Sequence, residues 1–196
     1  MKKKPASTPG RNAIPSVFDP FNNRLARDIR NTLSQAFVEA LMKLDKSEFQ
    51  KTARKWLAGN IDDLYAGYIK DRLKRYGQVF EQIKAKDIND ARIQAVVVWN
   101  HGLFFEFHDH LERLWQQTVG DERQAFKGLI QAAGVYVHLK FNHRQAAERL
   151  AIKSSDLIQK YADCLSFIGN LNLLVDKLHN LDSLPPLLES PGFRQD

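Results

Sequence analysis

A chain of 196 residues with 43% hydrophobic and 27% charged residues is long enough to bury one core and has the composition of an ordinary globular protein. Its longest uncharged apolar run, residues 93–105, is interrupted by Gln94, Asn100 and His101 and is too short to span a bilayer, so we expect no membrane segment. The single cysteine, Cys164, excludes an internal disulfide and fits a reducing compartment, which predicts a cytoplasmic protein.

The net charge of +6 is concentrated at the N-terminus. Residues 1–18 contain Lys2, Lys3, Lys4 and Arg11 and no acidic residue, so they carry four of the six net charges. We predict that residues 1–20, which include four prolines, form a disordered basic arm. A solvated arm is favoured over one that binds nucleic acid specifically.

Residues 21–90 are expected to form an N-terminal layer of helices. The apolar spacing predicts a long helix capped by Asn22 or Asn23 and running to about residue 44, then helices over 47–58 and 61–76. The outer face of the third helix is basic and adjoins Tyr76; it carries Lys70, Arg72, Lys74 and Arg75. Such a face could bind RNA by stacking and phosphate contacts, but a solvated helix face is the commoner interpretation.

Residues 91–182 are expected to form the core of the fold, followed by a C-terminal tail over 183–196. Two helices, about 91–117 and 121–141, break at Gly120 and pack as an antiparallel hairpin, and a short helix over 144–150 and a long one from about 154 to 181 follow. No strand pattern is present. The sequence therefore predicts an all-α, single-domain helical bundle with a central antiparallel hairpin and an extra N-terminal helical layer.

The first helix of the hairpin concentrates the ionisable residues. On a helical wheel, His108 and Glu112 fall on an apolar face with Phe105 and Trp115, whereas Glu106 and His110 belong to a polar stripe that is expected to face solvent. A buried carboxylate requires a partner or a metal ion. Two interpretations stay open: His108 and Glu112 form a structural hydrogen-bonded pair, or both bind a cation or a substrate.

The second helix of the hairpin places Gly128 and Gly134 on the same face as Gln131 and His138. Because glycine costs about 1 kcal/mol in a helix interior, this face is expected to meet another backbone or a ligand closely. Antiparallel packing about Gly120 puts residues at one level when their numbers sum to about 240. Gly128 would then lie opposite Glu112, Gln131 near His108, and His138 near His101.

Two segments of the hairpin resemble the domain-of-unknown-function 309 family. Residues 104–115 match its His-x-x-x-Glu-x-x-Trp signature through His108, Glu112 and Trp115, and residues 128–133 with His138-Leu139 resemble its second hallmark. The resemblance covers roughly residues 95–160. It implies a compact α-helical fold and a metal site at His108 and Glu112. Lys127, where the family usually has glutamine, and Phe141-Asn142 depart from the pattern, so the turn after the second helix is expected to differ.

Two functions follow from these residues. The first is a pocket that binds a divalent metal ion (Zn, Mn, Fe or Ni). The metal ligands would be His108 and Glu112, completed by His138, His101 or Gln131. Such a pocket could also bind a small molecule or catalyse hydrolysis. The pocket wall would be Gln131, Trp115, Phe105 and Gly128. The second is a non-catalytic interaction module that binds RNA or protein weakly and in which the His–Glu pair is structural.

Overall fold

The computed structural model describes residues 17–191, and these form eight α-helices and no β-strand. The predicted basic arm therefore lies mainly outside the described residues. The helices are α1 Arg24–Lys43, α2 Ser47–Leu57, α3 Asp63–Ala85, α4 Ala91–Asn100, α5 Phe104–Gln117, α6 Gly120–Lys140, α7 Arg144–Lys160 and α8 Leu171–His179, with a short 3-10 turn at Ala162–Leu165 between the last two. The all-α fold predicted from the sequence is confirmed.

The N-terminal layer begins at a side-chain cap. The Asn23 carboxamide oxygen accepts a hydrogen bond from the Ala26 N–H at 2.8 Å, which satisfies one of the free donors of the first turn of α1. Asp62 and Asp90 cap α3 and α4 in the same way. These three helix starts therefore have a local chemical cause.

Helix α3 continues through Gly77, where a break was expected. A Cβ at Gly77 would meet no atom within 4 Å, so this glycine makes no turn and no close contact. Val79, Phe80 and Ile83 extend the buried face of α3 beyond it. Burying these three side chains outweighs the cost of about 1 kcal/mol for one glycine in a helix.

The predicted helix over 91–117 is wrong, because the structure divides it into α4 and α5. Gly102 has φ +67°, a left-handed conformation that glycine adopts without strain, and it ends the helical path. The Arg75 Nη1 group donates to the His101 carbonyl at 3.1 Å and holds the turn against α3. His101 therefore does not share the helical phase of His108, as a continuous helix would have required.

The C-terminal segment packs on the bundle instead of fraying. The Asn100 side chain bonds both the N–H and the carbonyl of Leu188, at 2.7 and 2.8 Å, and the Trp99 indole donates to the Pro186 carbonyl at 2.8 Å. Leu188 is fully buried. The described part of the predicted C-terminal tail, residues 183–191, is therefore anchored to the bundle through residues 186 and 188.

Helix α6 approaches α7 closely on its glycine face. A Cβ at Gly128 would lie 3.0 Å from Leu157 Cβ and 3.2 Å from the Ile158 backbone nitrogen, and Ser154 Oγ donates to the Gly128 carbonyl at 2.8 Å. The glycine therefore accommodates a neighbouring helix. The alternative, that Gly128 lines a ligand pocket opposite Glu112, is wrong.

Replacing Gly128 tests this contact. Gly128→Ala should lower the free energy of unfolding by about 1–2 kcal/mol, because overpacking against a backbone outweighs the gain in helix propensity. Gly67→Ala is the matched control, since Gly67 lies within α3 with open space around its Cβ position and should stabilise by up to about 1 kcal/mol. Urea unfolding of both variants gives the two values, and a stabilised Gly128→Ala protein would contradict the packing described.

Candidate functional site

The face of α5 that points into the core is the opposite of the one expected. Glu106 has no exposed surface and His110 is 3% exposed, so the prediction that they face solvent is wrong. Glu112 is an exposed residue, with 48% of its side chain accessible, and the prediction that it is buried is wrong as well. The arc of α5 that contacts the core comprises Leu103, Phe107 and Leu111, and it brings Glu106 and His110 inward with it.

The buried Glu106 carboxylate is held by residues of α3. Tyr76 Oη donates to Glu106 Oε1 at 2.7 Å, and Arg72 Nε lies 3.1 Å from the same oxygen. Arg72 Nε also donates to Tyr68 Oη at 3.2 Å. Within residues 17–191, the second carboxylate oxygen, Oε2, has no hydrogen-bond partner. One oxygen thus anchors the ion pair and the other remains available as an acceptor.

The pKa values of this cluster follow from burial and charge. Burial on its own lowers the pKa of Arg72, but Glu106 together with Tyr68 and Tyr76 outweighs that effect, and the net pKa is raised. The pKa of Tyr76 is raised first by burial and then by Glu106, and burial raises the pKa of Tyr68 to about 12. Arg72 is therefore a permanent cation, and both tyrosines stay protonated hydrogen-bond donors.

The sequence contained a signal for this cluster. Arg72 lies at helical spacing between the apolar residues Ile69 and Tyr76, which places it on the buried stripe of α3 and not on the outer basic face to which it was assigned. Tyr76 is fully buried and Arg75 pairs with Asp71 at 3.1 Å. Of the predicted basic face, only Lys70 and Lys74 remain exposed.

His108 and Glu112 lie close together, as their spacing predicts, with Asp109 as a third member that the sequence interpretation missed. His108 Nδ1 is 3.3 Å from Asp109 Oδ1 and 4.0 Å from Glu112 Oε2, and one ligand atom of each residue lies within 4.8 Å of the others. The side chains are 33%, 23% and 48% exposed in chain order. We call these three residues the acidic triplet; it lies at the surface.

Two neighbours orient the acidic triplet. Ser34, fully buried on α1, donates a short hydrogen bond to Asp109 Oδ2, which leaves Oδ1 for His108. The Phe105 ring stacks on the His108 ring, with centroids 6.2 Å apart and planes 7° apart, and Arg30 Cζ lies 3.8 Å from the Phe105 centroid. The predicted pocket residue Phe105 therefore does contact His108.

The other predicted site residues lie elsewhere. His101 Nε2 is 2.9 Å from Gln82 Oε1 of α3, and His138 Nδ1 is 3.4 Å from His143 Nδ1 beside the Phe21 ring. In the described part of the chain, neither histidine joins a group that could hold a metal ion. The prediction that His101 and His138 complete one column with His108 is not supported.

Gln131 and Trp115 also point to neighbours other than the acidic triplet. Gln131 lies three residues from both Gly128 and Gly134, on the face that meets α7, and its Oε1 is buried with no partner among the described residues. The Trp115 ring packs under Arg123, whose Cζ lies 3.8 Å from the ring centroid. The two hairpin helices are nevertheless aligned along their axes as predicted. Phe104 and Tyr136, whose residue numbers sum to 240, have ring centroids 5.3 Å apart.

Comparisons with known proteins bear on the same segment. Residues 93–150 match a family model described as Domain of unknown function (DUF309), which confirms the family resemblance of the hairpin. No curated protein and no solved structure matches the chain significantly. None of the helices in the region 17–191 is both long and apolar enough to cross a membrane.

Removing one partner of the buried ion pair should be costly. Arg72→Met leaves the Glu106 charge without a cation, and we expect the free energy of unfolding to fall by about 3–5 kcal/mol. Arg72→Met combined with Glu106→Gln should regain part of this loss, because neither charge is then buried alone. The control Arg24→Met removes an exposed pair, Arg24–Asp28 at 3.8 Å, and should cost less than about 1 kcal/mol. Equal losses of unfolding free energy in Arg72→Met and Arg24→Met would contradict a buried Arg72–Glu106 ion pair.

The partly buried histidines should make stability depend on pH. The pKa of His138 is lowered, first by burial and then by His143, so the unfolded chain binds more protons at this position. Its contribution to stability is present above the unfolded value of about 6.5 and is lost as the pH falls through the lower folded-state value. Between pH 7 and 5, the loss of stability should therefore be smaller for His138→Gln than for the wild type. An unchanged pH profile for His138→Gln, or an equal change in the surface variant His179→Gln, would contradict this prediction.

Proposed function

We propose that this chain, whose residues 93–150 match the DUF309 family model, binds a divalent metal ion through His108, Asp109 and Glu112. The observation that carries the proposal is the convergence of one imidazole and two carboxylates, with ligand atoms within 4.8 Å of one another. Neutral imidazole together with carboxylate oxygen suits Zn, Mn, Fe and Ni, the metals expected from the sequence.

The distances require little rearrangement for binding. Two ligand atoms that each lie about 2.1 Å from one ion are about 3–3.5 Å apart, and the 3.3 Å between His108 Nδ1 and Asp109 Oδ1 fits that spacing. The 4.0 Å to Glu112 Oε2 is longer, but Glu112 is exposed and can rotate toward an ion. The ion would therefore enter between His108 and Asp109, and Glu112 would close on it.

The surroundings supply the orientation that metal sites need. Ser34 donates to one oxygen of Asp109 and leaves the other directed at His108, while the Phe105 ring restricts the plane of the imidazole. Residues outside the ligand set that fix ligand orientation are a general requirement of metal affinity. Ser34 belongs to α1, so the N-terminal layer contributes directly to this site.

The exposure of the acidic triplet supports an open coordination sphere. Three protein ligands at the surface leave positions for water, which is the arrangement of catalytic zinc sites. A bound ion would lower the pKa of such a water and make it a nucleophile, which is the basis for proposing hydrolysis.

The alternative, an interaction module in which the His108–Glu112 pair is structural, has less support. An exposed pair 4.0 Å apart contributes roughly 0–1 kcal/mol, too little to organise a core. The ion pair buried in the core is Arg72–Glu106. For RNA, the exposed basic residues that remain on α3 are few, and Tyr76 is unavailable for stacking.

Metal titration of chelator-treated protein tests the proposal. Calorimetry with Mn²⁺, Zn²⁺ and Ni²⁺ should give one site per chain, and His108→Ala, Asp109→Asn and Glu112→Gln should each weaken it about 10-fold or more. Ser34→Ala should weaken it by roughly the same order, because Asp109 loses its orientation. His179→Ala and Glu48→Gln remove the same residue types elsewhere on the surface and should leave the affinity unchanged.

Two outcomes would reject the site. The first is wild-type protein that takes up none of the three ions and shows no change in Tm when they are added. The second is an equal loss of affinity in His179→Ala and His108→Ala, which would indicate nonspecific binding. Electron paramagnetic resonance of the Mn²⁺ complex gives an independent measurement, because coupling to an imidazole nitrogen should disappear in His108→Ala.

A further inference from the structure

A small cavity lies where α1, α3, α5 and α6 meet, beneath Phe18 and Pro20. Its volume is about 40 Å³, which is room for roughly one to three water molecules. Phe18 stacks on Tyr68, with ring centroids 3.6 Å apart, and covers this side of the cavity. The lining combines aromatic residues with three cationic ones, Arg30, Arg72 and Lys140.

Arg72 contributes a guanidinium that is only partly used. Its Nε contacts Glu106 Oε1 and Tyr68 Oη. Its Nη1 is 3.5 Å from Asp71 Oδ2, which is the limit of a hydrogen bond. Across residues 17–191, Nη2 donates to no acceptor. Because Arg72 lines the cavity, this guanidinium has donor capacity for an acceptor there.

Arg30 and Lys140 have no carboxylate partner within salt-bridge distance in the described region. Arg30 donates to the Asn31 side chain at 2.9 and 3.1 Å, and the Lys140 ammonium lies 6.0 Å from the Phe141 ring. Burial lowers the pKa of both groups, and the nearby Arg72 and Arg75 lower that of Lys140 further. Neither cation has a paired carboxylate, although Asp109 and Glu106 attract Arg30, and Glu106 and Asp71 attract Lys140, from beyond salt-bridge distance.

The acidic groups nearby do not fill this role. Glu106 is paired with Arg72 and Tyr76, Asp71 binds Arg75, and Asp109 is bonded to Ser34 and faces His108. Because Glu106 is already paired with Arg72, Arg30 and Lys140 have no carboxylate in an ion pair with them at the cavity wall. A small anion would balance them, and apolar aromatic walls would strengthen the attraction by excluding water.

We propose that this cavity binds a phosphate group, held by Arg72 from within and by Arg30 and Lys140 at the rim. Guanidinium groups match the oxygens of phosphate with paired N–H donors, and the cavity admits a group of about this size but not a whole nucleotide. The site is separate from the acidic triplet and does not require a metal ion. The two share the Phe105 ring, which stacks on His108 and lies against Arg30.

Phosphate titration of chelator-treated protein is the test, with NaCl added to hold the ionic strength constant. Calorimetry and Tm should show saturable binding of inorganic phosphate. Arg30→Gln and Lys140→Gln should each weaken it about 10-fold or more, since each removes a charge-assisted contact. Lys74→Gln, which removes an exposed charge from α3, should leave the affinity unchanged. Arg72→Lys keeps the buried charge but loses the planar donor pair, and it should also bind phosphate more weakly while remaining folded by circular dichroism.

Several results would overturn the phosphate site. One is the absence of saturable phosphate binding at constant ionic strength. Another is an equal loss of phosphate affinity in Lys74→Gln and Arg30→Gln. A third is binding of acetate in preference to phosphate. His108→Ala should retain full phosphate affinity, so failure of the metal site and failure of the phosphate site are separable. Loss of phosphate binding in His108→Ala would contradict a metal-independent site.

Discussion

The buried contact between Glu106 and its α3 partners fixes how the central hairpin sits in the bundle. A carboxylate without exposed surface costs several kcal/mol unless it is paired, and Arg72 and Tyr76 supply the pairing at 3.1 and 2.7 Å. These distances allow one rotation of α5 about its axis. The same rotation turns His108, Asp109 and Glu112 outward beside α1, so the accessibility of the acidic triplet is a consequence of an ion pair on the other side of the helix.

The segment that matches the DUF309 family depends on residues that precede it. The match begins at residue 93, yet the cation that neutralises Glu106 comes from α3 and the hydroxyl that orients Asp109 comes from α1. Arg30, which lies against Phe105, also belongs to α1. The N-terminal layer is therefore part of both proposed sites. Isolating residues 93–150 would keep the acidic triplet but remove Ser34, which orients Asp109, and it would remove Arg30 and Arg72 from the phosphate site.

Local patterns predicted the all-α class and the levels of the hairpin but not every helix boundary. Besides the division of 91–117, the predicted helices over 144–150 and 154–181 are wrong, because α7 runs unbroken over Arg144–Lys160 and α8 begins only at Leu171. The cap at Asn23, the hairpin break near Gly120 and the facing of Phe104 with Tyr136 all follow from capping chemistry and helical rise. The buried face of α5 could not be read in the same way. Both of its arcs are apolar, one through Phe105 and Trp115 and the other through Phe107 and Leu111, so hydrophobic periodicity does not decide between them. Arg72, more than thirty positions earlier in the chain, determines which arc of α5 is buried. The apolar neighbours of Arg72 on α3 indicate that it is buried itself.

The two proposed sites carry opposite charge and lie on either side of one aromatic ring, which determines the sign of any coupling between them. Burial lowers the pKa of Arg30, and Tyr68 and then the electrostatic attraction of Asp109 oppose that shift. A divalent ion on Asp109 would cancel that attraction and leave the Arg30 charge available to a phosphate group. Metal and phosphate would then favour each other's binding, and the coupling would be reciprocal because both affinities belong to one thermodynamic cycle.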